Sequence, residues 1–199
     1  MSFILLAAAC AAAAAAAGVF AGRRSAASED EEKGKAPALP APLPKPFAQD
    51  AVGLEIGDVV SVAGEERWLS GALSLRDGEH LVAALFFAPE GRRNDAVCAF
   101  SSPRREILWL TPHAVEIGAE PPSSIELDGI VMRRRARVPV SIVRHAEDTP
   151  DLGDQAIFAE YEAGAGSVGV VIRASRGALG WVGKRVEDGA YDCMGKGGS

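Results

Sequence analysis

The sequence predicts an all-β domain, and three observations carry that expectation. From Leu54 onward the chain is written in short runs of alternating apolar residues, such as "DVVSV", "GALSL" and "EHLVAALFF". Glycine-bearing turn signals fall between the runs at Ala63-Gly64, Arg76-Asp77-Gly78, Asp128-Gly129 and Asp188-Gly189. No window offers a long 3.6-residue apolar stripe with helix caps. The full expectation is of duplicated small β-barrel or meander units, preceded by one N-terminal transmembrane helix and a Pro/Ala-rich linker. In order, residues 1–22 read as a signal-anchor, 23–50 as linker, 51–120 as a first β unit and 121–199 as a second.

The opening run, Ser2 to Gly22, carries no charge. As a helix it would span ~30 Å, about one hydrocarbon core. Three readings compete. A secretory signal wants a basic segment ahead of the apolar run, and none precedes it, although Val19-Phe20-Ala21 resembles a small-x-small cleavage site. A lipoprotein signal wants a leucine three residues before its cysteine, where Cys10 has Ala7. An uncleaved anchor fits Arg23 and Arg24 directly after the run, because positive charge stays cytoplasmic. The anchor is favoured, giving a single-pass inner-membrane protein whose domain faces the cytoplasm. A periplasmic domain, exported after cleavage, is the alternative.

The linker ends in "KAPALPAPLPKPFAQD". Proline fixes φ and removes backbone donors, so the stretch reads as a semi-rigid extended spacer. Arg23 to Asp50 holds five basic and five acidic residues. The net charge of −6 over 199 residues therefore belongs to the segment after it. An acidic domain excludes a nucleic-acid footprint, which needs a basic face to displace counterions.

Within the domain, Gly57, Gly64, Gly78, Gly129 and Gly189 are expected at turns, where φ > 0 favours glycine. Trp68, Trp109 and Trp181 are expected in the core, and a short helical turn near Thr149 to Asp154. "RREILWL" at Arg104–Leu110 resembles "RGALGWV" at Arg176–Val182, which suggests the duplication, with Pro121-Pro122 between the halves.

One resemblance goes beyond pattern. "LEIGDVVSVAGEERWLSGALSL" resembles the start of the family of bacterial domains of unknown function numbered 4178. The positions that carry it are Gly57, Asp58, Val60, Gly64, Trp68, Gly71, Trp109-Leu110 and Asp128-Gly129, with "IFAEYE" and "GWVGKRV" similar to the family's second half. The resemblance spans about residues 54–193 and rests on turn glycines and aromatics. The resemblance implies a β fold; the family has no established activity or catalytic residues, so nothing functional carries over.

The chemical motifs are sparse. "GAGSVG" has the glycine spacing of a dinucleotide loop, but the β-branched "VVIRASRG" follows where that motif needs a helix N-terminus, so it reads as a hairpin loop. "MRRRARV" places Arg133, Arg135 and Arg137 on one face of an ideal strand and Arg134 on the other. These three are the candidate anionic-surface site, facing anionic lipid or an acidic protein partner, against the plainer reading of a solvated strand face. Glu147, Asp148, Asp151 and Asp154 gather in one loop without EF-hand spacing, and Pro150 and Gly153 account for that loop without a metal. His80, His113 and His145 stand apart in sequence, His145 being expected on the surface. Cys98 and Cys193 could form one bridge but make no C-x-x-C pair, and free thiols suit a cytoplasmic domain. No nucleophile, acid–base or metal signature stands out. The expectation is therefore a non-catalytic binding module, without cofactor, at the cytoplasmic membrane face, with an exported envelope domain as the alternative and an enzyme with an unrecognised site as the third reading.

Overall fold

The computed structural model of the chain describes residues 52–90, 93–146 and 149–195. The apolar run and the linker lie outside these residues, as do Glu147 and Asp148. Among the described residues no helix is long and apolar enough to cross a membrane.

The fold is all-β. Strands β1 (Val59–Val62), β2 (Glu65–Trp68) and β12 (Asp192–Met194) form a small antiparallel sheet in the order β12-β1-β2. The remaining strands are β3 (Gly71–Asp77), β4 (His80–Glu90), β5 (Arg93–Phe100), β6 (Ile107–His113), β7 (Ser124–Leu127), β8 (Ile130–His145), β9 (Gln155–Glu162), β10 (Ser167–Ala174) and β11 (Gly177–Val186). They run in the order β3-β4-β5-β6-β11-β10-β9-β8-β7, and β8 pairs back onto β3. That last pairing, Ala72–Arg76 against Ser141–His145, closes an eight-stranded barrel with β7 outside the ring. Closure removes the open edges that a sheet of this size would otherwise expose.

Strand alternation sorts the apolar residues into three clusters. Leu73, Leu85, Cys98, Leu108, Phe158 and Val170 belong to a cluster fed by all eight ring strands, which is the barrel interior. The alternate residues Ala72, Phe86, Val97, Ile107 and Trp109 pack outside the barrel beneath the small sheet, with Val60, Val62 and Leu69. Leu127, Met132, Ala159, Tyr161 and Val171 form a third cluster under β7.

Arg67 fastens the small sheet to the barrel wall. Its guanidinium is buried, donates to the carbonyl oxygens of Ala96 and Leu110 at 2.7 and 2.8 Å, and meets Asp95 at 3.1 Å. It lies 3.9 Å from the ring centre of Trp109, whose indole N–H donates to Glu65. A desolvated cation over an aromatic face, with three hydrogen bonds to oxygen acceptors, is a favourable way to bury an arginine.

Local turn chemistry follows the sequence closely. All five expected turn glycines have positive φ. Ala63-Gly64 and Asp128-Gly129 have positive φ at both residues and join β1 to β2 and β7 to β8, the conformation a two-residue hairpin needs. Gly183 answers a different demand. A Cβ there would lie 1.9 Å from the Trp109 carbonyl oxygen, so only glycine lets β11 approach β6 this closely.

Strands β3–β6, from residues 51–120, and β8–β11, from residues 121–199, each supply half of one ring. Three expectations are corrected. Trp68 is not core: it is 59% exposed, because alternation turns Arg67 toward the barrel and Trp68 toward solvent. The turn at Asp188-Gly189 joins no hairpin; it carries the chain from β11 in the barrel to β12 in the small sheet. No helical turn forms at Thr149–Asp154; Thr149 is buried and its carbonyl oxygen accepts from Arg144 at 2.6 Å. The repeated stretches also differ in facing, since Trp109 packs outside the ring and Trp181 inside it.

Candidate functional site at the barrel mouths

The two ends of the barrel differ in chemistry. At one end Glu160 of β9 occupies the same strand face as Phe158 and points into the barrel, with its side chain 1% exposed. A buried carboxylate needs partners, and three arginines converge on it. Arg104, from the β5–β6 connection, binds it in bidentate fashion with both contacts at 3.0 Å. Arg185 of β11 reaches it at 3.1 Å and Arg135 of β8 at 3.4 Å. Glu106 bridges Arg104 and Arg185 from above, and Glu162 lies 3.8 Å from both Arg135 and Arg185. Three guanidiniums thus meet three carboxylates, and the cluster is neutral as a whole.

The Arg104 guanidinium also stacks 3.5 Å from the ring centre of Phe100. Beside the cluster is a cavity of about 350 Å³ lined by Phe100, Val138, Phe158, His80 and Asp77. Electrostatics there are strongly coupled. Burial works to raise the Glu106 carboxyl, but the hydrogen bond and charge of Arg104, with Arg185 and Arg135, outweigh it and hold the group below its ordinary range. Deeper inside, burial pushes the Cys98 thiol well up, and the charge of Glu160 adds to that. Cys98 is fully buried among the apolar residues of the barrel interior.

The other end is apolar. A cavity of about 290 Å³ is lined by Phe87, Pro112, Val115, Pro150, Leu179 and Trp181. The Phe87 and Trp181 rings sit 6.2 Å apart at 57°. The Trp181 indole N–H donates to the carbonyl oxygen of Asn94 at 3.3 Å, so the ring's polar end is used and an apolar face remains.

The arginine stripe does not survive as one face. A bulge between Arg134 and Ala136 shifts the register of β8 against β9. Arg133 stands opposite Glu162, on the inward-facing row, while Arg137 stands opposite Ala159, on the outward-facing one. Arg135 is the bulged residue, drawn into the Glu160 cluster, and Arg137 is paired with Glu120 at 3.0 Å. Arg134 donates to the carbonyl oxygen of Pro121.

The remaining sequence candidates stay dispersed. Asp151 is engaged by Arg176 and the Gly153 amide, and among the described residues no group of three or more candidate ligands could hold a metal ion. The glycine loop at Gly164–Gly166 is a single 3-10 turn leading straight into β10, the hairpin its composition implies. His145 is half-buried rather than on the surface, and shares a 2.8 Å hydrogen bond with Ser74 across the β3–β8 seam. Cys98 and Cys193 are both free thiols.

Sequence reading missed Arg104, Glu106, Glu160 and Arg185 as a unit. The available signal was Glu160 itself, a carboxylate within the otherwise apolar inward row Ala156–Phe158–Glu160. Its partners come from three distant strands or connections, which no local spacing encodes.

A comparison with family models found no match for the chain, and comparisons with characterised proteins and with solved structures likewise found none.

Proposed function

We propose that this chain is a membrane-anchored, non-catalytic binding module whose β domain faces the cytoplasm and receives an apolar side chain of a partner in its apolar barrel mouth. The observation that supports this most is the contrast between the two ends. At one, the ionic groups satisfy one another and brace the ring; at the other, Phe87, Pro112, Leu179 and Trp181 line an open concavity whose main polar atom is already bonded. The anchor reading of residues 1–22 supplies the membrane location, and Arg23-Arg24 its orientation. The resemblance to the bacterial 4178 domains and descent from a duplicated meander belong to the same proposal. The two four-stranded halves fit such a duplication, whereas the opposite facing of Trp109 and Trp181 shows that the matched stretches are not equivalent positions.

Two measurements test the reading. A reporter active only outside the cytoplasm, fused after Ser199, should stay silent; activity would make the protein an exported envelope domain instead. A naphthalene-sulfonate dye should bind the full chain near Trp181, with energy transfer from tryptophan, and Ala114→Arg at the exposed rim should remove that transfer while leaving the circular dichroism unchanged. Unaltered dye binding in the rim variant would overturn the assignment of the mouth.

A further inference from the structure

The outward face of the small sheet carries two cross-strand rows set by its register. Trp68, Val59 and Met194 are paired side by side, and two residues along, Glu66, Ser61 and Asp192 are paired in the same way. Residues two apart on a strand share a face. Arg67, Val60 and Val62 point inward to the buried cluster, so both of these rows point outward. Trp68 is 59% and Met194 54% exposed, and Glu66 and Asp192 are exposed beside them. A tryptophan row against an acidic row asks for an occupant that alternates apolar and basic groups.

We infer that this face is the docking site of the chain's own segment Leu43–Phe47. That segment reads Leu43-Pro44-Lys45-Pro46-Phe47, with apolar, basic and apolar residues at alternate positions. Its prolines lack backbone donors, so it docks by side-chain contacts in an extended, strand-like form, in which alternate residues share a face, rather than by adding a strand. Lys45 answers Glu66 and Asp192, while Leu43 and Phe47 cover Trp68 and Met194. Position favours this occupant. Phe47 precedes Val52 by only five residues, a reach of up to about 17 Å, whereas three strands side by side span about 10 Å. Val52 already packs against the cluster directly beneath the same sheet. The acidic row argues against the two other occupants: an anionic bilayer would be repelled by it, and a second copy would bring an identical acidic row against it. Docking would also shorten the tether, since the nine residues Pro42–Asp50 span about 28 Å as a free extended spacer.

The test uses the full chain in nanodiscs of zwitterionic lipid, read by acrylamide quenching of tryptophan fluorescence. Trp109 and Trp181 are 4% and 2% exposed, so quenching reports on Trp68, and Trp68→Phe confirms that assignment. Leu43→Ser with Phe47→Ser, and separately Lys45→Glu, should each raise the Trp68 quenching constant at least twofold without changing the circular dichroism. Combining Lys45→Glu with Glu66→Lys and Asp192→Lys should restore protection. Equal quenching in parent and linker variants overturns the inference. So does protection that persists in the variants but vanishes on dilution, which marks a second copy, or on transfer to detergent, which marks the bilayer.

Discussion

Replacing Glu160 by glutamine is the most direct test of what holds the barrel's ionic end together. The substitution keeps the shape and removes one charge. The carboxylate is 1% exposed and receives four hydrogen bonds from three arginines, whose side chains are 31%, 41% and 19% exposed at Arg104, Arg135 and Arg185. Removing one member of a buried ion pair typically costs about 3–5 kcal/mol, because the partners stay behind uncompensated. Glu106 remains beside Arg104 and Arg185, and Glu162 beside Arg135 and Arg185, so all three arginines keep a carboxylate, which places the expected loss near the lower end, about 3 kcal/mol. With a urea m-value of about 2 kcal/mol/M, the unfolding midpoint should fall by about 1.5 M. At about 2–4 °C per kcal/mol for a domain of this size, the melting temperature should drop by about 6–12 °C. Arg135→Ala, which removes the most exposed partner, should cost about 1 kcal/mol or less. Urea titration followed by circular dichroism on parent and both variants decides the matter. If Glu160→Gln loses no more than Arg135→Ala, the cluster is a solvated surface network and the bracing argument fails.

The other predictions rest on separate features. His145 is held below its ordinary range, first by burial and then by the charge of Arg76. A lowered folded pKa means that its contribution is intact above about pH 6.5 and is lost as pH falls through the folded value. Parent protein should therefore lose thermal stability between pH 7.5 and 5.5 more steeply than His145→Gln; equal slopes would show that the β3–β8 seam does not titrate. The lowered Glu106 carboxyl gives a second loss, full stability above about pH 4.5 and a decline below it, blunted in Glu106→Gln. The Cys193 thiol is pushed up to about 11 by partial burial, then by the charge of Asp58 and a 3.4 Å hydrogen bond to it. It should react slowly with a disulfide reagent at pH 8 and faster in Asp58→Asn, while Cys98 reacts only after unfolding. Gly183→Ala should destabilise the β6–β11 seam by several kcal/mol, since a methyl group cannot occupy a site 1.9 Å from a carbonyl oxygen; a stability within 0.5 kcal/mol of parent would refute that contact.

What the sequence made legible was local. Turn glycines announced themselves because left-handed backbone selects glycine whatever the rest of the fold does, and all five stand where expected. Period-2 runs announced strands, since the pleat fixes alternation within each run. Facing was legible only while that period held. In β8 a single inserted residue at Arg135 reverses it, so three arginines that an ideal strand lines up are divided among the inward row, the ionic cluster and the outward row. The same arithmetic misplaced Trp68, since size alone says core, and only the identity of its neighbour says otherwise. Arg67 is the residue that goes inward, because the carbonyl oxygens of Ala96 and Leu110 and the Asp95 carboxylate wait there for its donors. Those acceptors lie 28 to 43 residues away, and the partners of Glu160 lie 25 and 56 residues away. Ring closure, buried ion pairs and mouth chemistry are all consequences of which strands become neighbours, and local periodicity carries no record of that choice. Inward-facing charge is the exception that points toward it. A carboxylate on a buried row, as at Glu160, obliges the fold to bring cations from elsewhere, so such a residue marks a place where distant segments must meet even before the topology is known.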